Sequence, residues 1–543
     1  MRRRESVHPC MTRQPGVEVD PRHDGVTPLG ENVDSPSHHY VTSLRHFAVK
    51  RPQDLAIVTP ARSVTFAELS ERANSLAGYL HSRGVAAGTP VALMSANSAE
   101  LIEAFYAALV LGAPPANVNP RYHAHEVRYV LENCAAGAVL FDPTSATVVA
   151  EAVSAMEEPP FPLEFGSSRW RAAISSTTDY VRPQSVDDRL LIYTGGTTGL
   201  PRAVEWRVVD HFRMIWQMVK PTEPPPTPEA LIDSGRRAPT ASPCSPILHG
   251  VGLSLTLNTL NGGGTVVVSD RLTFDAADTF DLVRRYDVAV LGIVGDAFAR
   301  PMLDELETGR WNGKLPSLRA ISSAGASWTS SIRDRMANLL PGVKMVSNFG
   351  STEALVARDI SSDHSIDPGD GLVVIGENDR PAQPGEVGVV ATAGYLPLGY
   401  LGDPQKTAET FRTINGRRYA VTGDEARVEA DGRITLLGRG SAVINTGGEK
   451  VWPDEVEAVL RSVPGVLDAV VVGRPDERWG QRVAAVLRIA GTAEISDQRL
   501  SQGCRERLAP YKCPRQYVRV DEIPRTPVGK PDYRAIDSLL EES

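Results

Sequence analysis

Apolar and polar positions alternate along residues 64–142 in two periods. Thr65 stands three residues before Glu68, the spacing of a capping box, and apolar side chains then recur at helical spacing through Leu80. A helix is predicted there, ended by Gly84. Val91-Ala92-Leu93-Met94 is a short unbroken apolar run and reads as a buried strand. Helical spacing returns from Ser98 to Leu111 and stops near Gly112; Gly137-Ala138-Val139-Leu140-Phe141 is the next strand. The same alternation reappears at Thr265 to Val268, Val288 to Val294 and Leu318 to Ser322. Strands alternating with helices predict an α/β fold with a mostly parallel, doubly wound sheet.

Further along, the texture changes. Pro221 to Pro246 is rich in proline, serine and threonine and reads as an exposed loop. Beyond Gly369 come short strands with Gly and Pro turns, such as Gly385-Glu386-Val387-Gly388-Val389-Val390, which predict a β-rich subdomain. A second change falls at Gly438-Arg439-Gly440-Ser441. After it a helix from Pro453 to Ser462 and a strand Ala469-Val470-Val471-Val472 predict a small α+β domain. The expected organisation is a disordered tail (1–35), a large N-terminal domain (36–438), a hinge (439–442) and a mobile C-terminal domain (443–543).

Composition narrows the function classes. At roughly 150 residues per domain, 543 residues imply more than one domain. The 57 basic and 66 acidic residues give a net charge of -9, so a nucleic-acid partner held by a basic surface is not expected. No apolar run reaches about 18 residues, so no transmembrane segment is expected. The five cysteines (Cys10, Cys134, Cys244, Cys504, Cys513) are scattered without a C-x-x-C pair, which favours a reducing cytoplasm over a disulfide framework. Met1 to Arg4 is basic but no apolar segment follows before Pro15, unlike a secretory signal, and Met11 is an alternative start.

The strongest chemical signal is Tyr193-Thr194-Gly195-Gly196-Thr197-Thr198-Gly199-Leu200-Pro201-Arg202. Glycines let backbone N–H groups approach an anion, threonine hydroxyls donate further hydrogen bonds, and Arg202 adds positive charge; the combination suits phosphates. It is not a Walker A loop, because the lysine and its Ser/Thr neighbour are missing, which removes the main support for a kinase or GTPase.

This stretch resembles the phosphate loop of the adenylate-forming superfamily, which includes acyl-CoA synthetases, peptide-synthetase adenylation domains and luciferases. Four more segments follow in that family's order. Asn348-Phe349-Gly350-Ser351-Thr352-Glu353 resembles Y-G-x-T-E, and Tyr419-Ala420-Val421-Thr422-Gly423-Asp424 resembles Y-x-T-G-D. Gly438-Arg439 with Thr446-Gly447-Gly448-Glu449-Lys450-Val451-Trp452-Pro453 resembles the hinge and its glycine loop. Pro524-Arg525-Thr526-Pro527-Val528-Gly529-Lys530 resembles the terminal P-R-T-x-x-G-K.

The resemblance implies ATP, Mg²⁺ and CoA as cofactor and co-substrates. It implies that Thr194, Gly195, Gly196, Thr197, Thr198, Gly199 and Arg202 hold the β- and γ-phosphates, with Thr352 at the α-phosphate. Glu353 would ligate the metal, and Asp424 and Arg439 would meet the ribose. Ser323-Ala324-Gly325-Ala326 matches the adenine-side loop, beside Asn348, Phe349, Gly350 and Ser351. Lys530 would bridge the substrate carboxylate and the α-phosphate. Such a carboxylate is already ionised at neutral pH, so the step needs positive charge and positioning rather than a general base.

Pro246-Ile247-Leu248-His249-Gly250 resembles the acyl-pocket motif, which implies pocket roles for His249 and Gly250. Val294, Gly295 and Phe298 are further candidates, with Gly292 and Gly295 leaving room for a bulky acid and Asp296 as a helix cap. No aspartate lies near His249 to pair a substrate amine, which disfavours an amino acid. After rotation of the small domain, Thr446, Gly447, Gly448 and Lys450 would line the CoA channel. Three departures stand out: Pro201-Arg202-Ala203 replaces P-K-G, and Gly440-Ser441-Ala442 lacks the hinge aspartate. Gly292 to Pro301 and Arg478-Trp479-Gly480-Gln481 resemble actinobacterial acyl-CoA ligases, some of which activate fatty acids and some steroid side chains. The expected activity is ligation of an apolar carboxylic acid to CoA. An acyl-AMP ligase serving a carrier-protein phosphopantetheine and a non-catalytic nucleotide-binding relative remain alternatives. Oligomeric state stays open, a homodimer included.

Overall fold

The computed structural model describes residues 36–542, apart from 177–179, 195–200, 220–224, 327, 358–364, 369–370, 440–443, 447–448, 477–479, 492–494, 509 and 527–530. The tail 1–35 and most of the hinge therefore lie outside the described residues.

Two seven-stranded sheets carry the large domain. In the first, Lys344–Ser347, Ala320–Ser323, Val290–Ile293, Ala241–Pro243, Val266–Val267 and Leu55–Val58 run parallel, closed by antiparallel Ser63–Thr65. In the second, Pro115–Asn117, Val91–Met94, Ala138–Phe141 and Phe161–Glu164 are parallel to Arg189–Thr194. Arg202–Arg207 and Gly399–Tyr400 then continue that sheet antiparallel. Helices Phe66–Ser82 and Ala99–Leu111 share one core with both sheets, packing Leu69, Leu76, Leu80, Leu101 and Tyr106 against Ile57, Val266, Leu93 and Ile192. The predicted capping box is present: Thr65 Oγ1 accepts from Glu68 N, and Glu68 accepts from Thr65 N. Ser98 caps the next helix, and Gly112, in the left-handed region at φ +74°, ends it.

One feature inside that core escapes the periodic reading. Glu103, fully buried, accepts from Arg62 at 2.9 Å and from Arg72 through both carboxylate oxygens at 2.8 Å. Charge-assisted hydrogen bonds each contribute about 1.5–3 kcal/mol net, and both arginines are partly exposed, so they can rehydrate. Glu103→Gln is expected to lower the unfolding free energy by about 2 kcal/mol in urea titration. A change below about 0.5 kcal/mol, the size typical of a neutral surface substitution, would contradict this account of the cluster.

The stretch Pro221 to Pro246 is not an exposed loop throughout. Pro228–Asp233 is a helix, and Ala241–Pro243 is a buried strand between Val290–Ile293 and Val266–Val267. Its Ala-Ser-Pro sequence has no β propensity; its position comes from the parallel neighbours on either side.

Past the second sheet lies an antiparallel sheet with Arg417–Val428 between Val387–Thr392 and Ile434–Arg439. The small C-terminal domain has its own five-stranded sheet, built on Val466–Asp476 paired with Gly480–Ile489. Alternation sends Val471, Val483 and Leu487 toward helices Pro453–Arg461 and Asp497–Arg505. Val470, Ala484 and Val486 pack instead against helix Tyr533–Glu541. No described helix is long and apolar enough to cross a membrane.

Candidate active site

Four neighbouring parallel strands deliver their carboxyl ends to one edge of the first sheet. Pro243 leads to His249, Ile293 to Val294 and Gly295, Ser323 to Ala324-Gly325-Ala326, and Ser347 to Asn348 through Glu353. Such an edge is where open α/β sheets bind ligands. Hydrogen bonds knit the loops together. Asn348 N donates to Ser323 O at 2.8 Å, Asn348 Nδ2 to Ser322 Oγ at 2.9 Å, and Gly295 N to Ser323 Oγ at 2.9 Å. A methyl at Gly325 would stand 3.7 Å from Val251 and 3.8 Å from Val294, so the expected adenine-side loop adjoins the expected acyl wall.

His249 is the residue before helix Gly250–Asn261 and is half-buried, and its loop is fixed from the other sheet. Asn97 Nδ2 donates to Pro243 O (3.1 Å) and Ser245 O (3.0 Å), while Asn97 Oδ1 accepts from Ile247 N (2.7 Å). One expectation for the pocket changes. The space beside Gly292 is taken by Leu255, whose Cδ2 would lie 2.6 Å from an added methyl, so that glycine leaves no open room. Phe298 packs its ring on Phe274 at 4.8 Å and is partly buried against the core beneath the first sheet. Asp296 does not cap its own helix. Its carboxylate accepts from the backbone N (2.8 Å) and hydroxyl of Thr329, the residue that precedes helix Ser330–Leu339.

The glycine- and threonine-rich stretch joins two paired strands. Arg189–Thr194 and Arg202–Arg207 pair antiparallel up to Thr194 opposite Arg202. Gly195, Gly196, Thr197, Thr198 and Gly199 lie outside the described residues. Asn117 grips the incoming strand by accepting from Tyr193 N (2.6 Å) and donating to Tyr193 O (3.1 Å). Arg202 Nε lies 3.3 Å from Asp403 Oδ2, an exposed pair. Ala203 is buried in the sheet, where its methyl packs with Tyr193 and Leu191.

Thr352 and Glu353 form the tip of a small hairpin, with Phe349–Gly350 paired to Leu355–Ala357 and Ser351 N donating to Ala354 O at 2.8 Å. This hairpin tip is tied to the second sheet. Trp206 Nε1, on strand Arg202–Arg207, donates to Thr352 O at 3.1 Å. The Tyr400 hydroxyl donates to Glu353 Oε1 at 2.7 Å. Burial, and then the Glu353 charge, push the Tyr400 phenol well above its ordinary range, so it remains an O–H donor. For a divalent cation the fit is good: Glu353 Oε2 has no hydrogen-bond partner among the described residues, and hard cations take carboxylate oxygen.

Asp424 stands directly opposite Arg439 on adjacent antiparallel strands, and it is buried, with Thr422 Oγ1 donating to its Oδ2 at 2.6 Å. The Arg439 side chain lies outside the described residues. Its neighbour Glu425 accepts from Trp452 Nε1 at 2.9 Å, a contact that crosses the hinge. Arg300 Nη2 donates to Leu467 O at 2.8 Å, a second contact between the two domains. Thr446 opposes Glu449 in a tight hairpin; Gly447, Gly448 and the Lys450 side chain lie outside the described residues. So does Lys530, although the ends of its loop are joined by a bridge between Arg525 and Pro531.

Tyr400, Asp403, Trp206 and Asn97 are absent from the sequence-based candidates. A signal for the first two exists: Gly399-Tyr400 is followed by Asp403-Pro404, an N-cap with proline at the first helical position, before helix Pro404–Thr410.

Residues 44–401 match the family described as AMP-binding enzyme, and residues 455–530 match the AMP-binding enzyme C-terminal domain. The chain belongs to the AMP-binding enzyme family, with that family's large N-terminal and small C-terminal domains. Among its relatives, the 3-oxocholest-4-en-26-oate–CoA ligase of Rhodococcus rhodochrous is 37% identical, over 89% of this chain and 92% of its own. A medium/long-chain-fatty-acid–CoA/3-oxocholest-4-en-26-oate–CoA ligase of Mycolicibacterium smegmatis is 36% identical, over 90% of this chain and 94% of its own. The solved structure of the anthranilate CoA ligase AuaEII with anthranoyl-AMP shares the fold at a TM-score of 0.79 and 22% identity, covering 94% of this chain and 98% of that one.

Proposed function

We propose that this enzyme joins an apolar carboxylic acid, a medium- or long-chain fatty acid or a steroid side-chain acid, to CoA through an acyl-adenylate. The observation that carries the reading is the shared sheet edge, where the loops expected to meet acid, adenine and α-phosphate hydrogen-bond to one another. The substrate class is supported by the activities for which relatives matching about nine-tenths of both chains are named.

In the first half-reaction a carboxylate oxygen attacks the α-phosphorus of ATP and pyrophosphate leaves, giving acyl-AMP. The stretch from Thr194 to Arg202 would cradle the β- and γ-phosphates, with Arg202 exchanging Asp403 for phosphate oxygens. An exposed ion pair is worth only about 0–1 kcal/mol, so that exchange is cheap. Thr352 would donate to the α-phosphate, while Asp424 and Arg439 would hold the ribose. Glu353 would hold Mg²⁺, which when bound neutralises phosphate charge. Lys530 would bridge the attacking carboxylate and the α-phosphate, where positive charge counts most as water is excluded. In the second half-reaction the CoA thiol, giving up its proton, attacks the acyl carbonyl, and AMP leaves. Thr446, Gly447, Gly448 and Lys450 would line its approach. His249, Gly250, Val294 and Gly295 would bound the acyl group.

A screen of fatty, aryl and sterol-derived acids for CoA-dependent AMP release tests the reading. AMP release and acyl-CoA are expected with apolar acids. Adenylate that reacts with a carrier protein's phosphopantetheine but not with free CoA would favour an acyl-AMP ligase instead.

A further inference from the structure

We propose that Tyr400 is a positioning residue for the metal–triphosphate complex, setting the Glu353 carboxylate in place before nucleotide arrives. This rests on the adenylate-forming reading above and names a residue that reading does not require.

Several contacts hold Tyr400 itself. Its strand pairs with strand Arg202–Arg207, Tyr400 opposite Val204 and Gly399 opposite Glu205. Tyr400 N donates to Thr407 Oγ1 at 2.9 Å, and Thr407 Oγ1 donates to Asp403 O at 2.7 Å. The ring lies 5.8 Å from that of Phe411. A methyl at Gly399 would come within 2.4 Å of Thr407 Cγ2, so the glycine is what lets helix Pro404–Thr410 approach this closely. From this fixed backbone and ring the hydroxyl meets Glu353 Oε1 at 2.7 Å, with the Thr410 side chain beside it as a second hydrogen-bonding neighbour.

A phenol suits this task better than a cationic partner would. It is a neutral donor, so it orients the carboxylate without cancelling the negative charge that a metal needs. It occupies one oxygen and leaves Oε2 for the cation. Partners of this kind behind a metal ligand typically contribute 10–100-fold in metal affinity. The same segment reaches the phosphate cation as well, since Asp403 pairs with Arg202. Residues 399–403 thus touch both Glu353 and the start of the Arg202–Arg207 strand.

The test is Tyr400→Phe, which removes one hydroxyl and keeps the ring against Phe411. Mn²⁺ binding is followed by electron paramagnetic resonance in the presence of α,β-methylene-ATP, with thermal melting as the check on folding. About tenfold weaker Mn²⁺ binding is expected, together with a raised Mg²⁺ requirement and a kcat that recovers at saturating Mg²⁺. Glu353→Asp, a methylene shorter and out of the hydroxyl's reach, should weaken binding as well, and Tyr400→Phe should add nothing further in that background. Unchanged Mn²⁺ affinity in a Tyr400→Phe protein that folds overturns the proposal, as does full additivity of the two substitutions. Pyrophosphate release by the wild-type enzyme is measured in parallel. Its absence sinks the adenylation reading, whereas its presence with unaltered Mn²⁺ binding sinks only the role of Tyr400.

Discussion

Lys530→Ala is expected to slow acyl-adenylate formation about 10²- to 10³-fold, the range seen when one preorganised donor to developing charge is removed. Thioester formation from supplied acyl-adenylate and CoA should change by less than about threefold, because in the proposed mechanism the small domain rotates between the half-reactions and takes the lysine away from the reacting atoms. Single-turnover assays of each half-reaction separate the two. The loop of Lys530 is held at its base by the bridge between Arg525 and Pro531, and Arg525 is anchored to Asp468 at 2.7 Å. Neither contact involves the lysine side chain, so both should survive its removal. Equal loss in both half-reactions would contradict the two-face mechanism and indicate damage to the small domain.

The second large effect is expected at Asp424. It is buried, held by Thr422 and opposite Arg439, and Asp424→Asn keeps its volume and its carbonyl acceptor while removing the charge. A charged acceptor on a hydroxyl is worth about 1.5–3 kcal/mol, so the KM for ATP should rise about 10- to 100-fold with a smaller change in kcat. Substrate trimming assigns the contact. Wild-type enzyme should lose the same factor on passing to 2′-deoxy-ATP or 3′-deoxy-ATP, and the variant should be nearly indifferent to at least one of them. A variant that discriminates between both deoxy analogues and ATP as strongly as the wild type would place the ribose elsewhere.

Much of this architecture can be read from sequence where the signal is local. The helix Phe66–Ser82 announces itself through a capping box and a 3.6-residue period, and the structure places its cap at Thr65. Val91–Met94 is an unbroken apolar run because a parallel strand is covered on both faces. The Gly- and Thr-rich stretch 194–199 stands out through composition, since few other sequences can wrap an anion, and its phosphate role remains the proposal made above. Signals fail where position depends on partners remote in sequence. Ala241–Pro243 is a central strand with no strand-forming residue, and its neighbours alone put it there. Tyr400 lies 47 residues from Glu353 and carries no charge to advertise the contact. Asn97 sits in the bend before a helix N-cap in one βα unit and commits its amide to a loop about 150 residues away, a use that no spacing rule reveals. Glu103 interrupts an apolar helix, which reads as a blemish until Arg62 and Arg72 are seen around it.

The central claim is that one cleft brings a carboxylate and a triphosphate together so that the acid becomes an adenylate. Acid-dependent exchange of labelled pyrophosphate into ATP, measured on the purified enzyme with Mg²⁺ and without CoA, addresses it most directly. Exchange that requires an apolar acid and vanishes in Lys530→Ala is the predicted result. No exchange with any fatty or steroid side-chain acid, or exchange that proceeds equally without acid, would contradict it.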